Sequence, residues 1–232
     1  MKASAGISGL VSCVLTIMLV ASAASAGADR EMTDEEMWGQ VDQVTRTDVP
    51  VVTYRATFDQ EKLSPLLREP IRSRGRVRIA DGVSRWDTNP PNASTMTMRE
   101  GELRIYYPQQ YTLEIYELDN PKFRLAMSPT PDFTFLREHF TIKELHQSGE
   151  HRLEVVLDPA DEDFAEAIEQ VQVMVDRELG GMQMIAVTDV DGETTTLRFR
   201  DIELNPDIDP QDLVLAVPEG TKLVKPLDAM DN

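Results

Sequence analysis

Four arginines at alternate positions, Arg72, Arg74, Arg76 and Arg78, form a run of cations able to do polar chemistry. On a strand, alternation by two puts all four on one face, with Val77 and Ile79 on the other. Such a ladder could hold an anion. More often such a ladder is a solvated face whose cations pair across a sheet, here with Asp59 and Glu61. His139, His146 and His151 lack the His-x-x-x-His and His-Glu-x-x-His spacings, and Cys13 is the only cysteine, so no zinc site is expected. Asp158, Asp161, Glu162 and Asp163 lack the spacing and central glycine of a calcium loop and read as a solvated acidic turn. Gly-x-Ser-x-Gly, P-loop and Gly-x-Gly-x-x-Gly patterns are absent, and carboxylates are too abundant for one pair to stand out. No catalytic residue, metal ligand or cofactor is expected.

The remaining chemistry is apolar. Met96 and Met98 alternate on one short run near Trp86, and Met182 and Met184 do so on another. Methionine is flexible and polarizable and suits a surface that must accept varied apolar shapes, but it also fills ordinary cores. Both readings stand at this point.

The elements that must position these residues are mainly strands. Between Gly75 and Leu118 the runs RVRI, STMTMR, ELRIYY and YTLEIYEL are broken by Asp81-Gly82, Pro90-Pro91, Glu100-Gly101 and Pro108-Gln109. Runs this short, with period-two alternation and frequent turns, predict an antiparallel sheet. Before them, Thr33-Asp34-Glu35-Glu36 is a capping box that opens a helix from about Asp34 to Thr45, with Met37, Val41 and Val44 as its stripe and Trp38 beside it. Val52, Tyr54, Ala56 and Phe58 alternate as a half-buried strand, and Gln60 to Pro70 reads as a loop. Asn120-Pro121 breaks the strand pattern, and Asp132 to Arg137 predicts a short helix over the sheet. His151 to Leu157, Gln170 to Asp176, Met182 to Asp189 and Thr194 to Arg200 follow as strands, the last two joined through Asp191-Gly192. A last strand is expected over Leu213 to Val217. No Gly/Ser or low-complexity linker divides the chain, which favours one domain.

The chain has 232 residues and a net charge of −18. Lys2, the apolar Leu10 to Val20 and Ala24-Ser25-Ala26 predict a signal peptide over residues 1–26, with a domain over 27–232. The apolar run is short for a membrane span. Cleavage there leaves no cysteine and hence no disulfide. The acidic balance argues against nucleic acid as a partner.

The order of these pieces resembles the LolA family, periplasmic carriers of outer-membrane lipoproteins. The resemblance rests on Thr57-Phe58-Asp59-Gln60, on a Gly75-x-x-x-Ile79 strand reaching Trp86, and on the run from Met98 to Pro108 (MREGELRIYYP). It continues through Leu153-x-Val155-x-Leu157-x-Pro159, Val171-x-Val173-x-Val175-Asp176, Asp191-Gly192, Leu197-Arg198-Phe199 and the tail from Leu213 to Val224, and so spans about Met37 to Val224. One departure is Ala80-Asp81-Gly82, where the family's carriers usually have a basic residue followed by proline, a position linked to opening and closing of the lid.

The resemblance implies an α+β fold: a single domain, an unclosed, curved antiparallel half-barrel with helices lidding an apolar concave face. It implies a monomeric, non-enzymatic periplasmic carrier of lipoprotein acyl chains, with an ABC-type donor in the inner membrane and an acceptor at the outer membrane. Sensors and regulators share the fold, so a regulator that binds lipid or a protein partner is the alternative. Parity and resemblance together predict a lipid-binding face of Val52, Tyr54, Ala56, Phe58, Val77, Ile79, Trp86, Met96, Met98, Leu103, Ile105, Tyr111, Leu113 and Ile115.

Overall fold

The capping box forms as its residues require. The Thr33 hydroxyl accepts from the Glu36 backbone N–H, and the Glu36 carboxylate accepts from the Thr33 N–H at 2.8 Å. Helix α1 follows over Asp34–Thr45. The computed structural model describes residues 32–46, 49–99, 101–117, 133–179 and 181–226. The expected signal peptide, the Asn120-Pro121 break, Asp132 and Gly180 lie outside the described residues. Met32–Asn232 form one compact unit.

Among the described residues, twelve strands make one sheet. They are β1 (Tyr54–Leu63), β2 (Ile71–Ala80), β3 (Val83–Thr88), β4 (Ser94–Arg99), β5 (Glu102–Tyr107), β6 (Thr112–Glu117), β7 (Phe140–Ser148), β8 (Arg152–Pro159), β9 (Ile168–Asp176), β10 (Gly181–Asp189), β11 (Thr194–Leu204) and β12 (Lys222–Val224). Their order is β12-β6-β5-β4-β3-β2-β1-β11-β10-β9-β8-β7, and among the described residues the two end strands do not pair, so the sheet is an open half-barrel. All neighbours are antiparallel except β12, which runs parallel to β6. The other helical pieces among the described residues are α2 (Phe133–His139), α3 (Glu162–Ala165) and a 3-10 turn η1 (Pro210–Leu213).

Several expectations shift. Gln60 to Leu63 belongs to β1, because the hairpin to β2 continues to Lys62 opposite Ile71. Asp81 and Gly82, both at positive φ, make the tight turn into a separate strand, β3. Strand β7 carried no clear signal. A bulge between Ile142 and Glu144 breaks its alternation, so Phe140, Ile142 and Leu145 are not evenly spaced. The expected strand over Leu213 to Val217 is not one: η1 ends at Leu213, and the pairing segment is Lys222–Val224.

The helices gather over one part of the inner face. Helix α1 packs on β7, β8 and β9, and α3 on β8 and β9. The buried stripe of α1 is Trp38, Val41 and Val44, with Met37 at the margin. Beneath it lie Leu153, Val155 and Leu157 of β8 and Val171, Val173 and Val175 of β9, all buried. The Asp34 carboxylate accepts from the Ile142 N–H at 2.6 Å and ties the helix start to β7. Arg137 of α2 sits 5.5 Å from the Trp38 ring and 3.1 Å from the Asp42 carboxylate. On the opposite side of the sheet, η1 packs against β2 and β3.

Candidate functional site

Register decides which predicted residues share a face, because directly opposed residues in a sheet point the same way. One row runs across six strands: Ala56, Val77, Trp86, Met96, Ile105 and Glu114. The next row is Tyr54, Ile79, Ser84, Met98, Leu103 and Tyr116. Phe58 lies beside the first row and meets Trp86 at 5.0 Å between ring centroids; Phe199 of β11 meets Trp86 at 6.0 Å. Ten residues of the predicted set therefore stand together on the inner face: Tyr54, Ala56, Phe58, Val77, Ile79, Trp86, Met96, Met98, Leu103 and Ile105.

Four do not. Leu113 is opposite Tyr106 and Ile115 is opposite Arg104, both on the outer face. Tyr111 lies in the β5–β6 turn at positive φ and is 59% exposed. Val52 precedes β1 and is 70% exposed, its N–H bonded to the Asn205 side chain at 2.8 Å. The alternation of β6 is real but inverted with respect to polarity: its inner residues are Thr112, Glu114 and Tyr116. The paired methionines of β10 also divide. A bulge between them puts Met182 opposite Val175 on the inner face and Met184 opposite Met174 on the outer.

Sequence reasoning missed the polar groups of this face. The Tyr116 hydroxyl donates to the Glu114 carboxylate at 2.8 Å, and Tyr107 also bonds to Glu114. Burial first, then the Glu114 carboxylate, pushes both phenols above the ordinary tyrosine range. Burial alone does the same for Tyr54. On β3, Ser84 Oγ and Trp86 Nε1 are buried without a hydrogen-bond partner.

The inner face has two unlike parts. Under α1 the β8 and β9 side chains are fully buried. On β4 to β6, Met96, Met98, Ile105 and Tyr116 are only half-buried, while Leu103 and Val77 between and beside them have no exposure. The described helices do not account for cover there: α1 and α3 pack on β7 to β9, and α2 contacts β7.

The outer face is ionic, as the arginine ladder suggested. Arg72 pairs with Glu61 at 2.7 Å, Arg78 and Arg85 with Asp87, and Arg55 with Glu203. Asp59 is flanked in register by Arg74 and Arg198 and takes its ion pair from Arg200. A groove of about 540 Å³ opens there, lined in part by Asp59, Glu61, Arg72, Arg74, Asn89 and Arg198. The histidines have contacts of their own: His139 is hydrogen-bonded to Asp161 at 2.7 Å and stacks near Phe135 and Phe164, His146 meets Glu144 and His151 meets Glu178. Asp158 pairs with Lys143. Among the described residues no three His, Cys, Asp or Glu side chains converge as a metal site would require.

The chain is similar to known proteins. Residues 50–212 match the family described as outer membrane lipoprotein carrier protein LolA. An outer-membrane lipoprotein carrier protein of Chromohalobacter salexigens is 24% identical over 220 residues, covering 93% of this chain and 94% of the relative. Among solved structures, an uncharacterized conserved protein from Thermus thermophilus has 12% identity and a TM-score of 0.49, over 82% of this chain and 98% of that one. A LolA superfamily protein from Nitrosomonas europaea has 11% identity and a TM-score of 0.41, over 79% and 98%. The match to the family pattern covers most of the chain, and the chain belongs to the LolA family of outer membrane lipoprotein carriers.

Proposed function

We propose that this protein is a periplasmic carrier that holds the acyl chains of outer-membrane lipoproteins against the inner face of β3 to β5. The family supplies the general role, that of an outer membrane lipoprotein carrier. The observation that carries the location is the contrast between the two parts of the inner face. The part under α1 is a dry core. The part around Met96, Met98 and Ile105 continues the apolar rows but is only half-buried, with Ser84 and Glu114 among its neighbours in register.

Burial of acyl chains there is favourable by about 0.8 kcal/mol per CH₂. Val77, Leu103 and Trp86 pack closely in this conformation, so an entering chain must displace side chains. Met96 and Met98 are the ones best able to move, being unbranched and polarizable. Residues 1–26 would serve as the export signal and be removed. An inner-membrane donor would load the carrier and an outer-membrane acceptor would unload it. The Asp81-Gly82 turn stands where relatives usually have a basic residue and proline, so release here would use a different contact.

The test is co-elution. Purified protein is mixed with an acylated outer-membrane lipoprotein and with the same lipoprotein lacking acyl chains. Co-elution of the acylated form alone is expected. Equal retention of both, or of neither, would contradict the carrier role. Capture of a membrane-anchored regulator in place of the lipoprotein would point to the sensor alternative.

A further inference from the structure

We propose that Ser84 and Trp86 form a polar subsite in the apolar face that recognises the ester or amide carbonyl of an acylated ligand. The two residues are i and i+2 on β3, so their side chains project from the same face. Their cross-strand neighbours on that face are Ile79 and Met98 for Ser84, and Val77 and Met96 for Trp86. None of these four carries a side-chain oxygen or nitrogen. Ser84 is 8% exposed and Trp86 3%, and both Ser84 Oγ and Trp86 Nε1 are without a hydrogen-bond partner.

A buried polar group left unpaired is unfavourable, and few persist in folded proteins. Valine, alanine or phenylalanine at these positions would fit the apolar pattern without that penalty. Two such groups side by side, next to the half-buried Met96 and Met98, are accounted for by a ligand that brings the missing partner. The chemistry of the pair fixes what that partner is. Indole N–H is a donor only, and a serine hydroxyl can donate. The ligand group must therefore be an acceptor. A cation is excluded, and a bare hydrocarbon would leave both groups unpaired. The acceptor that lies directly beside a hydrocarbon chain in an acylated molecule is the carbonyl oxygen of its ester or amide. Met96 and Met98 flank the pair and would receive the chain itself. The subsite thus sets the depth at which a chain is held, with its carbonyl at β3.

This inference rests on the acyl-binding reading, and the test separates the two. The probes are monopalmitoylglycerol and its ether counterpart hexadecylglycerol, which has the same chain length but no carbonyl. Each is titrated against a bound fluorescent fatty-acyl probe, using the purified protein, Ser84→Ala and the Ser84→Ala/Trp86→Phe double variant. The wild-type protein should bind the ester roughly tenfold more tightly than the ether. Ser84→Ala should keep its affinity for the ether and lose most of that preference. The double variant, which also alters the apolar face at Trp86, is read by its ester-to-ether ratio alone, and that ratio should fall as well. Ser84→Ala removes one oxygen atom and preserves the fold even if the double variant does not. Equal affinity of the wild-type protein for ester and ether would overturn the subsite while leaving acyl binding intact, as would a preference that survives in Ser84→Ala and in a folded double variant. Failure to bind either lipid would overturn both.

Discussion

Gly75 of β2 lies directly opposite Phe58 of β1, and the missing side chain is what lets the phenyl ring reach Trp86. A Cβ at position 75 would stand 2.8 Å from Phe58 Cζ and would overlap the Asp87 carbonyl oxygen. The backbone cannot yield there without disturbing the β2–β3 pairing. Gly75→Ala should therefore destabilise the protein by roughly 1–3 kcal/mol or more, the cost of overpacking a filled site. Urea unfolding measures it; an unchanged midpoint would show that the Phe58 and Asp87 contacts are loose.

Asp87 should govern part of the acid stability. Burial alone would raise its pKa, but the Arg85 and Arg78 guanidiniums and the Thr95 hydroxyl outweigh that and hold it below the ordinary carboxylate value. A depressed pKa contributes stability that is complete above the unfolded value and lost as pH falls through the folded one. Asp87→Asn should cost about 2 kcal/mol at neutral pH, as expected for a charge-assisted hydrogen-bond network. The difference from wild type should shrink as the pH drops below the ordinary carboxylate range. A gap that stays constant into strong acid would assign the stability to other groups.

At the alkaline end the tyrosines matter. Burial and the Glu114 carboxylate raise the Tyr116 phenol above its usual value of 10.0. A raised pKa gives stability that is complete below the unfolded value and lost as pH rises towards the folded one. Thermal unfolding should show declining stability above pH 10, with a shallower decline in Tyr116→Phe. Tyr54 and Tyr107 continue to contribute, so the decline should not vanish. Identical alkaline profiles for both proteins would mean that Tyr116 ionises freely in the folded state.

Leu157, buried on β8 in the core that α1 caps, belongs to the part of the inner face assigned to folding alone. Leu157→Ala should cost about 2–5 kcal/mol, the range for a core leucine. The protein that remains folded should bind a fluorescent fatty-acyl probe with unchanged affinity. Weaker binding in the folded variant would extend the acyl site beneath the helix.

Some of this architecture was legible in the sequence and some was not, for identifiable reasons. Helix α1 was legible because its signal is local: Thr33 and Glu36 satisfy one another's backbone groups within one turn. The faces of β1, β2, β4 and β5 were legible because apolar residues hold one phase of the alternation. Strand β3 was not, because its inner residues include Ser84 as well as Trp86. Bulges defeated parity in β7 and between Met182 and Met184. In β6 the pattern misled. Tyr106 and Leu113 are buried on the outer face, in the part of the sheet between η1, on β2 and β3, and β12, beyond β6. The last 3-10 turn and the last strand of the chain lie far in sequence from β6. Alternation can reveal that a strand has an apolar face, but here only the pairing of β5 with β6 shows which way that face points.

That inversion supplies the most direct measurement. Ile105 and Ile115 lie on adjacent strands and carry the same side chain, but register puts Ile105 beside Met96 on the inner face and Ile115 opposite Arg104 on the outer. Binding of a fluorescent fatty-acyl probe should be measured in Ile105→Glu and Ile115→Glu, each confirmed as folded by circular dichroism. Acyl chains held on the inner face require that Ile105→Glu abolish binding and that Ile115→Glu bind as wild type does. Unchanged binding in a folded Ile105→Glu protein, or equal loss in both variants, would contradict the assignment of the acyl site to the inner face.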